Sequence, residues 1–331
     1  MRKLTVLFVL AGLVLSACQA APGTPGGASG EWPDRLVLGL VPSREADVLI
    51  ENAEPLTDHL SEVLSEMAGK TITVEGFVPQ DYTGLVAAME TGQAHIGAFG
   101  PFSLLQARDR AGAEIVLQSV RFGSATYHTQ WFTSADNADK YCDDEPVADS
   151  SGRLGCNGTA TESKGPLGED ALANIEPGTT VAFVEQSSAS GYIFPALMLI
   201  EAGLDHETDI EPIFSGGHDN SVLAVYNGDA EVGVSFDDAR SIVEEEFPDV
   251  GQTVVTFAFS TEIPNDGWVV AGDLPDDLKE AITQALLDYS ASEEGKEVLD
   301  SIYEITELVR ADESSFEVVE RAARELGVTG D

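Results

Sequence analysis

The sequence predicts an α/β protein of two lobes with a ligand cleft between them. From Arg35 onward, short β-rich runs alternate with segments of helical period. The same rhythm starts afresh near Thr180, and the last stretch returns to strand and then to helices, as a tail completing the first unit would. Such alternation is the pattern of a parallel sheet covered by helices.

In order, the first unit has predicted strands over 36–41, 71–77, 95–99 and 115–122. Between them, Leu49, Leu56, Leu60, Val63 and Leu64 recur at helical spacing within 48–67, and 82–90 makes a second helix. A strand over 130–133 leads into the second unit, with strands over 180–184, 209–214, 231–235 and 253–257 and helices over 191–202 and 220–227. The tail has a strand over 267–270 and helices over 276–289, 293–301 and 314–326. Two crossings between lobes are expected, near 130–133 and 257–261. The first lobe is then 32–129 with 260–331, and the second is 130–259. Ligands of such folds sit beyond the carboxyl ends of the strands, where helices begin.

The start of the chain gives an address. Arg2 and Lys3 precede an apolar run over 4–15, which is too short for a membrane span of about 20 residues and has the form of a signal peptide. Leu15-Ser16-Ala17-Cys18 resembles the lipobox of bacterial lipoproteins, so 1–18 reads as a signal with Cys18 as the lipidated residue. An ordinary secretory signal is the alternative, and both imply export. Residues 19–31, rich in Ala, Pro, Gly and Ser, read as a flexible tether.

The formal charge of −41 excludes nucleic acid as a partner. Cys142 and Cys156 flank a polar stretch, and in an oxidising compartment they would pair and close it as a loop. A metal site there lacks spacing and partners, since the five histidines form no cluster. No metal and no cofactor are expected.

Three strand-to-helix turns carry the chemistry. Glu185-Gln186-Ser187-Ser188-Ala189-Ser190-Gly191 runs from a strand into an apolar helix, so hydroxyls and unpaired backbone N–H groups gather where the helix dipole is positive. A plain serine cap is the bland alternative. Ala98-Phe99-Gly100-Pro101 places proline at a helix start, and Ser215-Gly216-Gly217-His218-Asp219 places an exposed histidine at another.

Taken in order, Gly39 to Ser43, Asp81-Tyr82, Phe99-Gly100-Pro101, Ser188 to Tyr192, Gly216 to Asp219 and Ala224 to Gly228 resemble the phosphate/phosphite/phosphonate-binding proteins of ABC transporters, over nearly all of 35–300. The resemblance implies the type II periplasmic-binding-protein fold, with a two-stranded hinge and the ligand in the cleft between lobes. It implies that Ser188, Ala189, Ser190 and Gly191 hold the phosphorus oxygens, with Tyr82 and Tyr127 donating from the first lobe and His218 from the second. The family's cradle often has threonine where Ala189 stands, which removes one hydroxyl. Members that take aminoalkylphosphonates use acidic residues for the ammonium, and Asp237, Asp238 and Asp266 are the candidates.

The resemblance further implies a monomer that delivers a small phosphorus oxyanion to a permease and ATPase complex while anchored to the membrane by lipid. A sensor lipoprotein of the same fold, or a binder of another oxyanion or an organic sulfonate, is the alternative. Catalysis is not expected: Ser187 to Gly191 lacks the Gly-x-Ser-x-Gly nucleophile elbow and has no matched base. Because so acidic a chain repels anions globally, the site is expected to rely on neutral hydroxyls and amides, distant charges being screened beyond about 8 Å.

Overall fold

The computed structural model describes residues 30–161 and 165–328. The signal segment, Cys18 and most of the tether lie outside them. The elements run β1 (Arg35–Leu40), α1 (Ala46–Ala68), β2 (Thr73–Phe77), α2 (Tyr82–Glu90), β3 (Ile96–Phe99), α3 (Pro101–Ala111), β4 (Glu114–Val120) and β5 (Thr126–Tyr127). Next come β6 (Thr129–Ser134), α4 (Ala138–Tyr141), β7 (Val147–Ala148), β8 (Leu154–Gly155), β9 (Thr180–Phe183), α5 (Phe194–Glu201), β10 (Glu211–Phe214), α6 (His218–Tyr226), β11 (Val232–Phe236), α7 (Val250–Thr253) and β12 (Val254–Phe259). The chain ends with β13 (Ile263–Pro264), β14 (Gly267–Val270), α8 (Asp276–Ala291), α9 (Glu293–Tyr303), β15 (Glu307–Arg310) and α10 (Glu317–Leu326).

Two sheets form the lobes. The first has the order β15-β4-β14-β3-β1-β2 and the second β10-β9-β11-β6-β12-β8-β7. Neither is wholly parallel. In the first sheet β14 runs antiparallel to β3 and β4, because the tail re-enters this lobe from the opposite direction. In the second, β6 is antiparallel to both β11 and β12, so the two connecting strands lie side by side at its middle. The central strands are apolar on both faces, as in β12, where all of Val254–Phe259 is buried, because helices cover both sides of the sheet. Helix α1 lays Leu49, Ala53, Leu56, Leu60 and Leu64 inward at near-fourfold spacing, and its far side faces water.

The crossings fall a few residues from their expected places. Residues 130–133 and 257–259 belong to strands inside the second sheet, and the passage between lobes is the antiparallel pair β5–β13, in which Ile263 faces Tyr127 and Pro264 faces Thr126. Two-residue strands carry no periodicity, which is why the sequence pattern slid to the longer strands beside them. Helix α10 packs against α3 of the first lobe and α5 of the second, so the end of the chain touches both lobes. Cys142 and Cys156 form a disulfide with a Cα–Cα distance of 5.6 Å.

Candidate ligand site between the lobes

A cavity of about 30 Å³ lies between the lobes beside the hinge. Four helical starts converge on it. Tyr82 is the first residue of α2, Pro101 the first of α3 and His218 the first of α6, while Ser188 caps the turn leading into α5. Each start leaves backbone N–H groups without helical partners and a positive end of the helix dipole, which together favour an anion.

The serine turn is built by a close approach. Ala189–Ile193 wind as a single π-helical turn, with the Tyr192 and Ile193 amides both donating to Ser188 O at 3.1 Å, so the helix begins with a wider turn than the expected one over 191–202. Ser188 Oγ accepts from the Gly191 amide at 3.1 Å. Gly191 O in turn accepts from the Val184 amide at 3.0 Å, which seats the turn on the end of β9. A Cβ on Gly191 would lie 2.4 Å from Val184 Cβ and 2.8 Å from Ser188 Oγ, so only glycine fits there. Ser188, Ala189 and Ser190 face the cavity from this turn.

Across the cavity, Tyr82 and Tyr127 line the wall, and burial pushes both phenols above their ordinary range, so they stay protonated and able to donate. Tyr127 and Ser190 face the same cavity. The lobes meet around the cavity: the His218 amide donates to Ser43 O at 3.0 Å, and Thr83 Oγ1 lies 3.4 Å from Ser187 Oγ.

His218 is buried, which corrects the expectation of an exposed histidine. Its start-of-helix position is right, but its amide is tied to Ser43 O across the cleft and the Phe236 ring packs against the imidazole at 4.9 Å between centroids. Nδ1 is 2.7 Å from Ser235 Oγ. Burial, aided by the nearby Arg121 and Arg44 guanidiniums, pushes the imidazole down to about 3, so it is neutral at physiological pH. A neutral ring whose Nδ1 accepts from Ser235 keeps its Nε2–H as a donor.

The acidic candidates separate. Asp266 lines the cavity, but Arg121 claims its carboxylate in an ion pair whose side chains are 12% and 15% exposed. Burial raises the Asp266 carboxyl, and the Arg121 and Arg44 charges oppose the rise. Asp237 lies off the cavity in a neighbouring groove, where Oδ1 accepts from the His128 amide at 2.9 Å. Asp238 is also away from the cavity, bound to the Arg240 guanidinium at 2.7 Å.

The expectation of a purely neutral donor set is overturned by Arg44 and Arg121, which both line the cavity. Arg44 follows the Gly39 to Ser43 segment and precedes Glu45, so in sequence it looks like one half of a surface pair. Arg121 ends the stretch after β4, and only the fold brings it to Asp266. Tyr303 was also missed; it lines the cavity from the end of α9 while its hydroxyl donates to Val41 O at 2.7 Å. No local signal in α9 marks it.

Residues 38–316 match the family described as ABC transporter, phosphonate, periplasmic substrate-binding protein. The chain is 26% identical over 247 residues to the phosphate-import protein PhnD of Mycolicibacterium smegmatis, covering 71% of this chain and 65% of that protein. It is 22% identical over 254 residues to the phosphonates-binding periplasmic protein of Escherichia coli, covering 76% of this chain and 67% of that one. The matches thus span about two thirds of those relatives' own length. Among solved structures, PhnD1 of Prochlorococcus marinus in complex with methylphosphonate superposes with a TM-score of 0.72 at 18% identity, covering 89% of this chain and 99% of that one. At that identity the likeness speaks for the fold, a type II periplasmic-binding-protein architecture. Among the described residues no helix is long and apolar enough to cross a membrane.

Proposed function

We propose that this chain, which belongs to the family of periplasmic substrate-binding proteins of phosphonate ABC transporters, captures a small phosphorus oxyanion between its lobes and presents it to a permease and ATPase complex. The observation that carries this reading is the convergence of four helical starts and two guanidiniums on one cavity at the hinge.

In this reading the turn from Ser188 to Gly191 presents the Ala189 and Ser190 amides and the Ser188 and Ser190 hydroxyls to the oxygens, while the Ser188 and Gly191 amides hold the turn in shape. Tyr82, Tyr127 and neutral His218 donate from the other sides, and Arg44 and Arg121 supply charge. Donors fixed in a closed cleft act at lower effective dielectric than surface groups, so a handful of them can hold an anion against a net charge of −41. The ligand bridges both lobes, and closure about β5–β13 becomes the signal the permease reads. Cys18 anchors the exported monomer by lipid, and the tether over 19–31 gives the lobes reach.

Calorimetric titration of the purified protein with phosphate, phosphite, methylphosphonate and sulfate tests the reading. Saturable binding of one or more phosphorus anions, lost on combining Ser188→Ala with Ser190→Ala, is the expected result. Binding of sulfate alone, or binding indifferent to both serines, would place the function elsewhere.

A further inference from the structure

We propose that Arg121 occupies the place of a ligand cation inside the site, so that with Arg44 it restricts the protein to compact phosphorus anions bearing no positive group. The inference rests on the phosphorus-oxyanion reading and deepens it by naming the ligand class.

The argument is a charge count within a small enclosed space. Asp266 contributes the cavity's one carboxylate among the described residues, and it faces Arg121 in a largely buried pair. Arg121 is fixed from a second direction, its guanidinium carbon lying 5.9 Å from the centre of the Phe236 ring. Arg44 lines the same cavity with no ion-pair partner among the described residues, and the Nε atoms of both arginines are buried without hydrogen-bond partners. Neutral His218 does not change the sum. Two guanidiniums against one carboxylate leave the lining one positive charge in excess. The buried Asp219 carboxylate that senses Arg44 lies outside this lining, so an oxyanion entering the cavity still meets the positive excess directly.

A ligand carrying an ammonium meets the opposite situation. Asp266 is the group that could receive it, and reaching that carboxylate means displacing Arg121 and holding three cations together. Space adds only a graded penalty: a cavity of about 30 Å³ must widen even for the oxyanion itself, and an ammonium-bearing tail must widen it further. The carboxylate that would accommodate a charged tail is present, but the protein has already satisfied it with its own side chain.

The test compares methylphosphonate with 2-aminoethylphosphonate by calorimetry on the purified protein and on Arg121→Met, Arg121→Lys and Arg44→Gln variants, with thermal melts to confirm folding. The native protein is expected to favour methylphosphonate by at least roughly 100-fold, since like charges brought together at a desolvated site carry penalties of that size. Arg121→Met frees Asp266 and should shrink this ratio by about tenfold or more, whereas Arg121→Lys, which keeps the cation, should largely restore it. Arg44→Gln, at a partly buried position, should weaken the dianion more than the zwitterion. Equal or tighter binding of 2-aminoethylphosphonate by the native protein would overturn the inference alone, as would an unaltered ratio in folded Arg121→Met or in Arg44→Gln. Should neither compound, nor phosphate or phosphite, bind the native protein, the phosphorus-oxyanion reading itself falls and takes the inference with it.

Discussion

Acidification should destabilise this protein through His218 in a way that one substitution isolates. In the unfolded chain the imidazole takes a proton near its ordinary value of 6.5; in the fold, burial beside Arg121 and Arg44 lowers it to about 3. Between those values the unfolded state binds one proton that the folded state refuses, so the folded state loses ground as pH falls. The contribution is fully present above about pH 6.5 and disappears as pH falls through about 3, at a slope of about 1.4 kcal/mol per pH unit and a ceiling of about 5 kcal/mol. Other groups act in the same range: protonating some of the 58 carboxylates relieves the self-repulsion of a chain at −41 and pulls in the opposite direction. The comparison must therefore be differential. Urea denaturation of the native protein and of His218→Gln, stepped from about pH 8 to about pH 4.5, should give two curves whose difference is flat above about pH 7 and then declines with the stated slope. Parallel curves throughout would show that His218 keeps an ordinary proton affinity, and the neutral-donor role assigned to it would fall as well.

Three further outcomes follow from the same geometry. Tyr127→Phe removes one hydroxyl facing a charged ligand, worth about 1.5–3 kcal/mol, so calorimetry should show methylphosphonate binding weakened roughly 10- to 150-fold while the ligand-free melting temperature stays within a few degrees. Gly191→Ala forces a Cβ to within 2.4 Å of Val184 Cβ, and the turn must shift; a loss of about 1–3 kcal/mol in denaturant stability with weakened binding is expected, and an unchanged midpoint would contradict the packing. Replacing Cys142 and Cys156 together by serine opens a loop of 14-residue separation and should cost roughly 3 kcal/mol of stability without altering affinity, because neither residue touches the cavity; a shifted Kd would refute that separation.

Much of the fold could be read from the chain because its central strands are continuous apolar runs and its long helices keep a clear period. Gly267–Val270 and Val232–Phe236 are buried along their whole length, and 82–90 fills one helix. The hinge could not be read in the same way: β5 and β13 are two residues each, and pairing across 136 positions, from Tyr127 to Ile263, leaves no local trace. The site divides along similar lines. Ser188 to Gly191, Tyr82 and His218 stand at helix starts, where sequence marks them. Arg121, Asp266 and Tyr303 meet through tertiary structure alone, and their roles depend on one another: Asp266 looks like a free carboxylate until Arg121 is placed beside it. The depth of His218 was likewise invisible, since a Gly-Gly turn promises exposure and its burial comes from contacts with Ser43, Ser235 and Phe236, all distant in sequence.

The acidity of the chain and the cationic character of its cleft are compatible because they operate over different distances. For an anion in the proposed site, surface carboxylates farther than about 8 Å away are screened at physiological salt, whereas Arg44, Arg121 and the helix starts line the cavity itself. A minority of the surface carboxylates also have partners that lie outside the site, as with Glu75 on Arg35, Glu280 on Arg310 and Asp34 on Lys70. Such exposed pairs add little to stability, but each commits one of only 17 Lys and Arg residues to the exterior. Placing two of those scarce cations in a cavity of about 30 Å³ concentrates positive charge where the lobes meet, while the rest of the molecule repels anions at long range. The consequence is selectivity by depth: an anion gains nothing from approaching the surface and gains fully only when both lobes surround it, so the same charge distribution that slows encounter favours the closed, ligand-bridged state over loose association.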